Sequence, residues 1–91
     1  MGEPRITLVG RDGCHLCEEA RDVVRRVADD TGAGWAELDV DADPNLLRQY
    51  GEMVPVVLVD GTQHDFYRVD ERRLRDALQG RRLGVFRPRR G

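Results

Sequence analysis

Residues 10–20 read GRDGCHLCEEA and place Cys14 and Cys17, the two cysteines of the chain, three positions apart. Two thiols at this spacing suit a metal site, a structural disulfide or a pair that opens and closes in redox chemistry. No stretch is typical of a secretory signal or a transmembrane span, so we expect a soluble cytoplasmic protein. In that reducing compartment the pair favours redox or metal chemistry over a structural disulfide.

Length and charge predict one small domain with a basic end. The 91 residues carry a net charge of −2, and 35% of them are charged with mixed sign, which is typical of a globular chain. Residues 81–91 contain five arginines and no acid. We therefore predict a domain over residues 1–80 and a basic tail over 81–91, with disorder as its simplest interpretation. No aromatic ladder or basic groove accompanies this tail, so we expect no nucleic-acid binding, and we expect no membrane binding either.

Four apolar stretches predict strands. Arg5–Val9 is rich in strand-forming residues and mostly apolar, as a buried strand would be, and Trp35–Val40 alternates well enough for a second strand. The third strand should begin after a proline, at Val56–Val59. The pair Asp60-Gly61 is typical of a tight turn, so His64–Val69 is predicted to return as an antiparallel partner.

Three helices are predicted between and after these strands. The apolar positions from Leu16 to Ala28 follow helical spacing, Asp43 followed by Pro44 is typical of a helix start, and Asp70 is a predicted N-cap. The order is β-α-β-α-β-β-α. It predicts an α/β fold with a mixed four-stranded sheet, in which the first two strands are parallel, the last two form a hairpin, and helices cover both faces.

The cysteines fall between the first strand and the first helix. Cys14 should lie at or just before the helix start, and Cys17 one turn inside it. The free N–H groups and positive dipole end of a helix N-terminus stabilise a thiolate, and the charges of Arg11 and a protonated His15 act in the same sense. This placement predicts that Cys14 attacks a disulfide and that Cys17, more buried, resolves the mixed disulfide.

A second signal is Val54-Pro55, directly before a buried strand. Proline in the cis form at this place would turn a free backbone edge toward the sulfurs, where an extended peptide could pair with it. The alternative is an ordinary trans proline at a strand start. The presence of Cys14 and Cys17 leads us to predict the cis form.

Together these features resemble a known family. The segments GCHLCEEA, LDVDADPNLLRQYG, VPVVLVDG and VDERRLRDAL, spread over residues 4–79, are similar to the small glutaredoxin-like family with a C-H-L-C motif, in the thioredoxin superfamily. The resemblance implies a thioredoxin fold, Cys14 as the nucleophile, Cys17 as the resolving thiol and Pro55 as the cis proline beside them.

The resemblance also implies a glutathione site, although the sequence departs from the glutaredoxin pattern there. Arg11 matches a lysine that meets a glutathione carboxylate, Val54 would offer its backbone, and Asp70 would face the glutamyl amine. The usual Gly-Gly pair before Asp70 is missing, and His15 and Leu16 replace the proline and tyrosine of C-P-Y-C. The predicted catalytic pair is thus Cys14 and Cys17, and the predicted substrate-binding set is Arg11, His15, Val54, Pro55 and Asp70.

We interpret the chain as a glutaredoxin-like thiol–disulfide oxidoreductase, a monomeric enzyme that carries electrons between a reductant and protein or small-molecule disulfides. It should need no cofactor, and the reductant is either glutathione or a thioredoxin reductase system. Two alternatives stay open: a redox-inactive binding module of the same fold, and a holder of a metal cluster bridged through glutathione. No metal site within one chain is expected, because two cysteines and two histidines rarely complete a four-ligand zinc site.

Overall fold

The computed structural model describes residues 4–80. The predicted tail, residues 81–91, lies outside them, so its disorder remains a prediction. The elements along the chain are strand β1 (Ile6–Gly10), helix α1 (His15–Thr31), strand β2 (Trp35–Asp39), a short 3-10 helix (Val40–Ala42), helix α2 (Pro44–Tyr50), strand β3 (Val56–Val59), strand β4 (Thr62–Phe66) and helix α3 (Glu71–Leu78). Within the described part, no helix is both long enough and apolar enough to cross a membrane.

The four strands form one mixed sheet in the order β2-β1-β3-β4. Strand β1 lies beside β2 in parallel and beside β3 antiparallel, and β3 and β4 form a hairpin. The predicted α/β fold is confirmed, including the parallel first pair and the final hairpin. The inner strand β1 is apolar along most of its length because neighbours cover both of its faces.

Each face of the sheet carries its own apolar core. On one face, Ile6 and Leu8 pack with residues of α1 and α3, among them Val24 and Leu74. On the other face, Val9 joins a smaller cluster that the residues of α2 cover in part. The helices therefore lie on both faces, as predicted, and the larger core lies under α1 and α3.

Strand β4 differs from its prediction. It was expected over His64–Val69, but it begins two residues earlier and ends at Phe66. Asp60 and Gly61 both have positive φ, at 51° and 85°, which makes a two-residue hairpin loop and brings Thr62 directly opposite Val59.

The end of β4 is set by Tyr67. This residue takes a left-handed conformation with φ 63°, and its backbone N–H donates to the carbonyl of Pro55 at 2.8 Å. A bulky residue rarely adopts such a φ, so the hydrogen bond holds the chain in a conformation that breaks the strand. Val69 is therefore not in the sheet and packs instead against the core beneath α3.

The helix ends follow the predicted local signals. The carboxylate of Asp43 accepts from the backbone N–H of Asn45, with Pro44 opening α2. The carboxylate of Asp70 accepts from the backbone N–H of Arg73 and caps α3. Side-chain oxygens at these positions satisfy N–H groups that a helix start leaves without partners.

Leu74 offers a test of the main core. The Leu74→Ala substitution should lower the free energy of unfolding by about 2–5 kcal/mol, because it removes buried methyl groups and leaves a cavity between α3 and the sheet. Leu47→Ala is the matched control, since Leu47 is 45% exposed on α2 and should change the free energy by about 0.5 kcal/mol or less. Equal losses in the two variants, measured by denaturant unfolding, would contradict this account of the core.

Candidate functional site

The two cysteines lie where a tight turn leads from β1 into α1. Gly13, at φ 76°, takes a left-handed conformation that glycine adopts without strain, and the backbone N–H of Cys14 donates to the carbonyl of Arg11 at 3.4 Å. Cys14 then has an extended backbone and is the N-cap of α1. The predicted position of Cys14 at the helix start is thus the observed one.

The sulfur of Cys14 takes the place that a hydroxyl or carboxylate has at most helix starts. The backbone N–H of Cys17 donates to Cys14 Sγ at 3.2 Å. One of the unpaired donors of the helix start is therefore directed at sulfur, at the positive end of the helix dipole. Cys14 is partly exposed and Cys17 is buried, and both are thiols in this structure.

The two thiols have different electrostatic surroundings. Burial raises the pKa of the Cys17 thiol to about 11, and a hydrogen bond with Cys14 adds to the rise. A backbone hydrogen bond from Arg11 and the positive charge of Arg21 act in the opposite direction but do not cancel it. At neutral pH Cys17 is therefore held as a thiol behind the more accessible Cys14.

The buried sulfur lies close to the glycine at the end of β1. A Cβ atom placed on Gly10 would lie 3.4 Å from Cys17 Sγ and 3.7 Å from Glu37 Oε2. Glu37 also forms a bidentate ion pair with Arg21, at 2.8 and 2.6 Å. This pair was not among the predicted site residues, although the position of Arg21 one turn beyond Cys17 was a signal for it.

Val54 and Pro55 lie at the same end of the sheet as the cysteines. Strand β3 runs antiparallel to β1 with Val9 opposite Val56, so the next residue back, Pro55, comes level with Gly10. The Val54–Pro55 peptide is cis, and the side chain of Pro55 is fully buried. Val54 packs against the smaller core.

The hydroxyl of Tyr67 donates to the carbonyl of Glu52 at 3.0 Å, in addition to the backbone bond from Tyr67 to Pro55. Tyr67 therefore ties the end of β4 to the segment before β3. It also lines a cleft of about 390 Å³ together with Leu16, which stands between the two cysteines, and Asp70. Tyr67 was not among the predicted site residues, because only the fold brings it to Leu16.

The other three predicted substrate-binding residues differ in whether their side chains are already engaged within the protein. His15 is exposed at the first position of α1, beside Cys14. By contrast, Arg11 and Asp70 are engaged within the protein: the guanidinium of Arg11 pairs with Asp41, and the carboxylate of Asp70 caps α3. Among residues 4–80, no group of three or more histidine, cysteine, aspartate or glutamate side chains is arranged to hold a metal ion.

The fold and the cysteine pair define a thioredoxin-like domain, and comparisons agree. An X-ray structure of protein XcR50 from X. campestris superposes with a TM-score of 0.68 at 29% identity, over 82% of this chain and 96% of that one. A point mutant of thioredoxin from Halobacterium salinarum superposes with a TM-score of 0.62 at 30% identity, over 88% of this chain and 75% of that one.

The family follows from the sequence match. Residues 5–79 match the model of the glutaredoxin-like domain (DUF836), and the chain belongs to this family. The uncharacterized protein Rv0508 of Mycobacterium tuberculosis is 34% identical over 80 residues, which cover 82% of each chain. The resemblance predicted from the C-H-L-C motif is confirmed.

Alkylation can test the contrast between the two thiols. In the Cys14→Ser variant, the remaining Cys17 should resist iodoacetamide at neutral pH, because burial still raises the pKa of its thiol, and its reaction should accelerate as the pH rises. In the matched Cys17→Ser variant, Cys14 should be modified readily at neutral pH. Mass spectrometry gives both rates, and unfolding in denaturant should make them similar. Equal rates in the two folded variants would contradict the proposed contrast.

Proposed function

We propose that this protein is a thiol–disulfide oxidoreductase in which Cys14 is the nucleophile and Cys17 the resolving thiol. The observation that carries the proposal is the arrangement at the start of α1, where the N–H of Cys17 points at the partly exposed sulfur of Cys14 and Cys17 itself is buried directly behind it. Family membership and the shared fold support it.

In the first step the thiolate of Cys14 attacks one sulfur of a substrate disulfide. A mixed disulfide forms between Cys14 and that sulfur, and the other half of the substrate leaves as a thiolate that takes up a proton from solvent. The helix N–H group and the helix dipole stabilise the negative sulfur before attack. No cofactor takes part, because sulfur both gives and receives the electron pair.

In the second step Cys17 loses its proton and attacks Cys14 Sγ. The mixed disulfide breaks, the substrate leaves as its second thiol, and Cys14 and Cys17 become a disulfide. The substrate has gained two electrons and the protein has lost two. The high pKa of Cys17 keeps it protonated until this step, so Cys14 meets the substrate first.

Substrate contact would come from the backbone around Val54 and Pro55. Val54 precedes the first paired residue of β3 and lies at the end of the sheet where β1 leads to the cysteines. An extended peptide can therefore pair with its backbone. We place the activity in the reducing cytoplasm, in a monomer, with electrons returned by glutathione or by a thioredoxin reductase system.

Single-cysteine variants test the proposal. The reduced wild-type protein should reduce bis(2-hydroxyethyl) disulfide and end with an internal disulfide, whereas Cys14→Ser should fall to the uncatalysed rate. Cys17→Ser should stop at the first step and accumulate a mixed disulfide on Cys14, visible by mass spectrometry.

Turnover with glutathione plus glutathione reductase, compared with turnover with a thioredoxin reductase system, identifies the reductant. An active Cys14→Ser variant, or a wild-type protein that never forms the internal disulfide, would remove the catalytic assignment and favour a binding module of the same fold.

A further inference from the structure

Arg11 is the cation nearest in sequence before the reactive cysteine, and the structure shows it already paired. We propose that Asp41 is a specificity-determining residue: by holding Arg11 in an internal ion pair, it makes the protein discriminate against disulfides that carry a carboxylate near the reacting sulfur. This inference rests on the proposed disulfide exchange at Cys14 and adds the class of substrate.

The pairing uses the edge of Arg11 that suits a carboxylate best. Its Nε donates to Asp41 Oδ2 at 2.9 Å, and its Nη2 donates to Asp41 Oδ1 at 3.2 Å. This two-bond arrangement is the one by which arginine recognises free carboxylates. A third bond, from Nη1 to the carbonyl of Gly51 at 3.4 Å, turns the guanidinium toward the segment before β3.

The guanidinium also stands within electrostatic reach of both thiols. Its pKa is raised above the ordinary value, mainly by the hydrogen bond with Asp41 and in smaller part by the charges of Asp41, Cys14 and Cys17. A carboxylate on a disulfide bound to Cys14 would therefore find Arg11 as its natural partner. Some N–H groups of Arg11 remain available to such a carboxylate. The positive charge of the guanidinium, however, is already balanced by the carboxylate of Asp41.

The surroundings of Arg11 strengthen this discrimination. A shallow cleft beside it is lined by the carboxylate residues Asp12, Glu37 and Asp39, with Arg21 as its second cation. Together with Asp41, the acidic side chains on this side outnumber the arginines. A negatively charged substrate is thus opposed both by the loss of its partner and by the net charge of this side of the site.

Asp41 is held in place independently of Arg11. Its backbone N–H donates to the carboxylate of Asp39 at 2.9 Å, at the start of the short 3-10 helix. The ion pair itself is solvated, since the side chains of Arg11 and Asp41 are 36% and 50% exposed. Solvated pairs stabilise a fold little, so a substitution at Asp41 should release Arg11 without unfolding the protein.

The experiment compares two small disulfides of similar size. Bis(2-hydroxyethyl) disulfide is neutral, whereas 3,3′-dithiodipropionate carries a carboxylate on each half. The rate constant for oxidation of the reduced full-length protein is measured with each probe at low ionic strength, and their ratio is compared among variants. This ratio cancels any general change in thiol reactivity or in the folded fraction.

Asp41→Asn should raise the rate with dithiodipropionate relative to the neutral disulfide by about two- to fivefold, the range expected from releasing a solvated ion pair. Added salt should shrink the gain, and Arg11→Gln in the same chain should abolish it. Asp60→Asn is the matched control, because Asp60 makes the same two-bond pair with Arg5 near the opposite end of β1. Its ratio should equal that of the wild type.

An unchanged ratio in Asp41→Asn, with normal reaction of the neutral disulfide, would overturn the inference and leave the pair a structural contact. An equal rise in the rate constants for both probes would also overturn the inference, because it would indicate an effect on the thiol and not on the substrate carboxylate. Failure of the wild-type protein to react with either probe would instead overturn the proposed function, so the two failures are distinguishable.

Discussion

The hydrogen bond from the Cys17 N–H to Cys14 Sγ joins the fold to the chemistry. It forms because Cys14 is the N-cap of α1, a position that the turn at Gly13 after β1 makes possible. The helix is then fixed over the sheet by its apolar face, which packs on Ile6 and Leu8. The buried thiol of Cys17 and the paired guanidinium of Arg11 both take their positions from this junction.

Two identical side chains thus differ in exposure and in hydrogen bonding because of their surroundings alone. Cys14 lies at the N-terminus of the helix and is partly exposed, with an N–H donor directed at its sulfur. Cys17, one turn further, is buried and lies against Gly10 at the end of β1. Burial is costly for a charged sulfur and cheap for a neutral one, so the same packing that completes the core also keeps Cys17 protonated at neutral pH.

Local signals in the sequence were enough for most of the fold. Strand β3, the aspartate caps of α2 and α3, and the helix start at Cys14 each depend on a few neighbouring residues, and each was predicted. The end of β4 was not predicted, because it depends on a hydrogen bond from Tyr67 to the carbonyl of Pro55, which is remote in sequence. The pairing of Arg11 with Asp41 spans 30 positions, so no local pattern reveals that a predicted binding residue is already occupied.

The contacts of Tyr67 also bear on how the wall of the cleft can vary. Its backbone N–H donates to the carbonyl of Pro55, and its hydroxyl donates to the carbonyl of Glu52. Its side chain also lines the cleft next to Leu16. A smaller side chain here would enlarge the cleft and at the same moment release the hydroxyl's hold on the loop behind it. A truncation at this one position therefore changes the width of the cleft and the anchoring of the segment before β3 together, whereas loss of the hydroxyl alone changes only the anchoring.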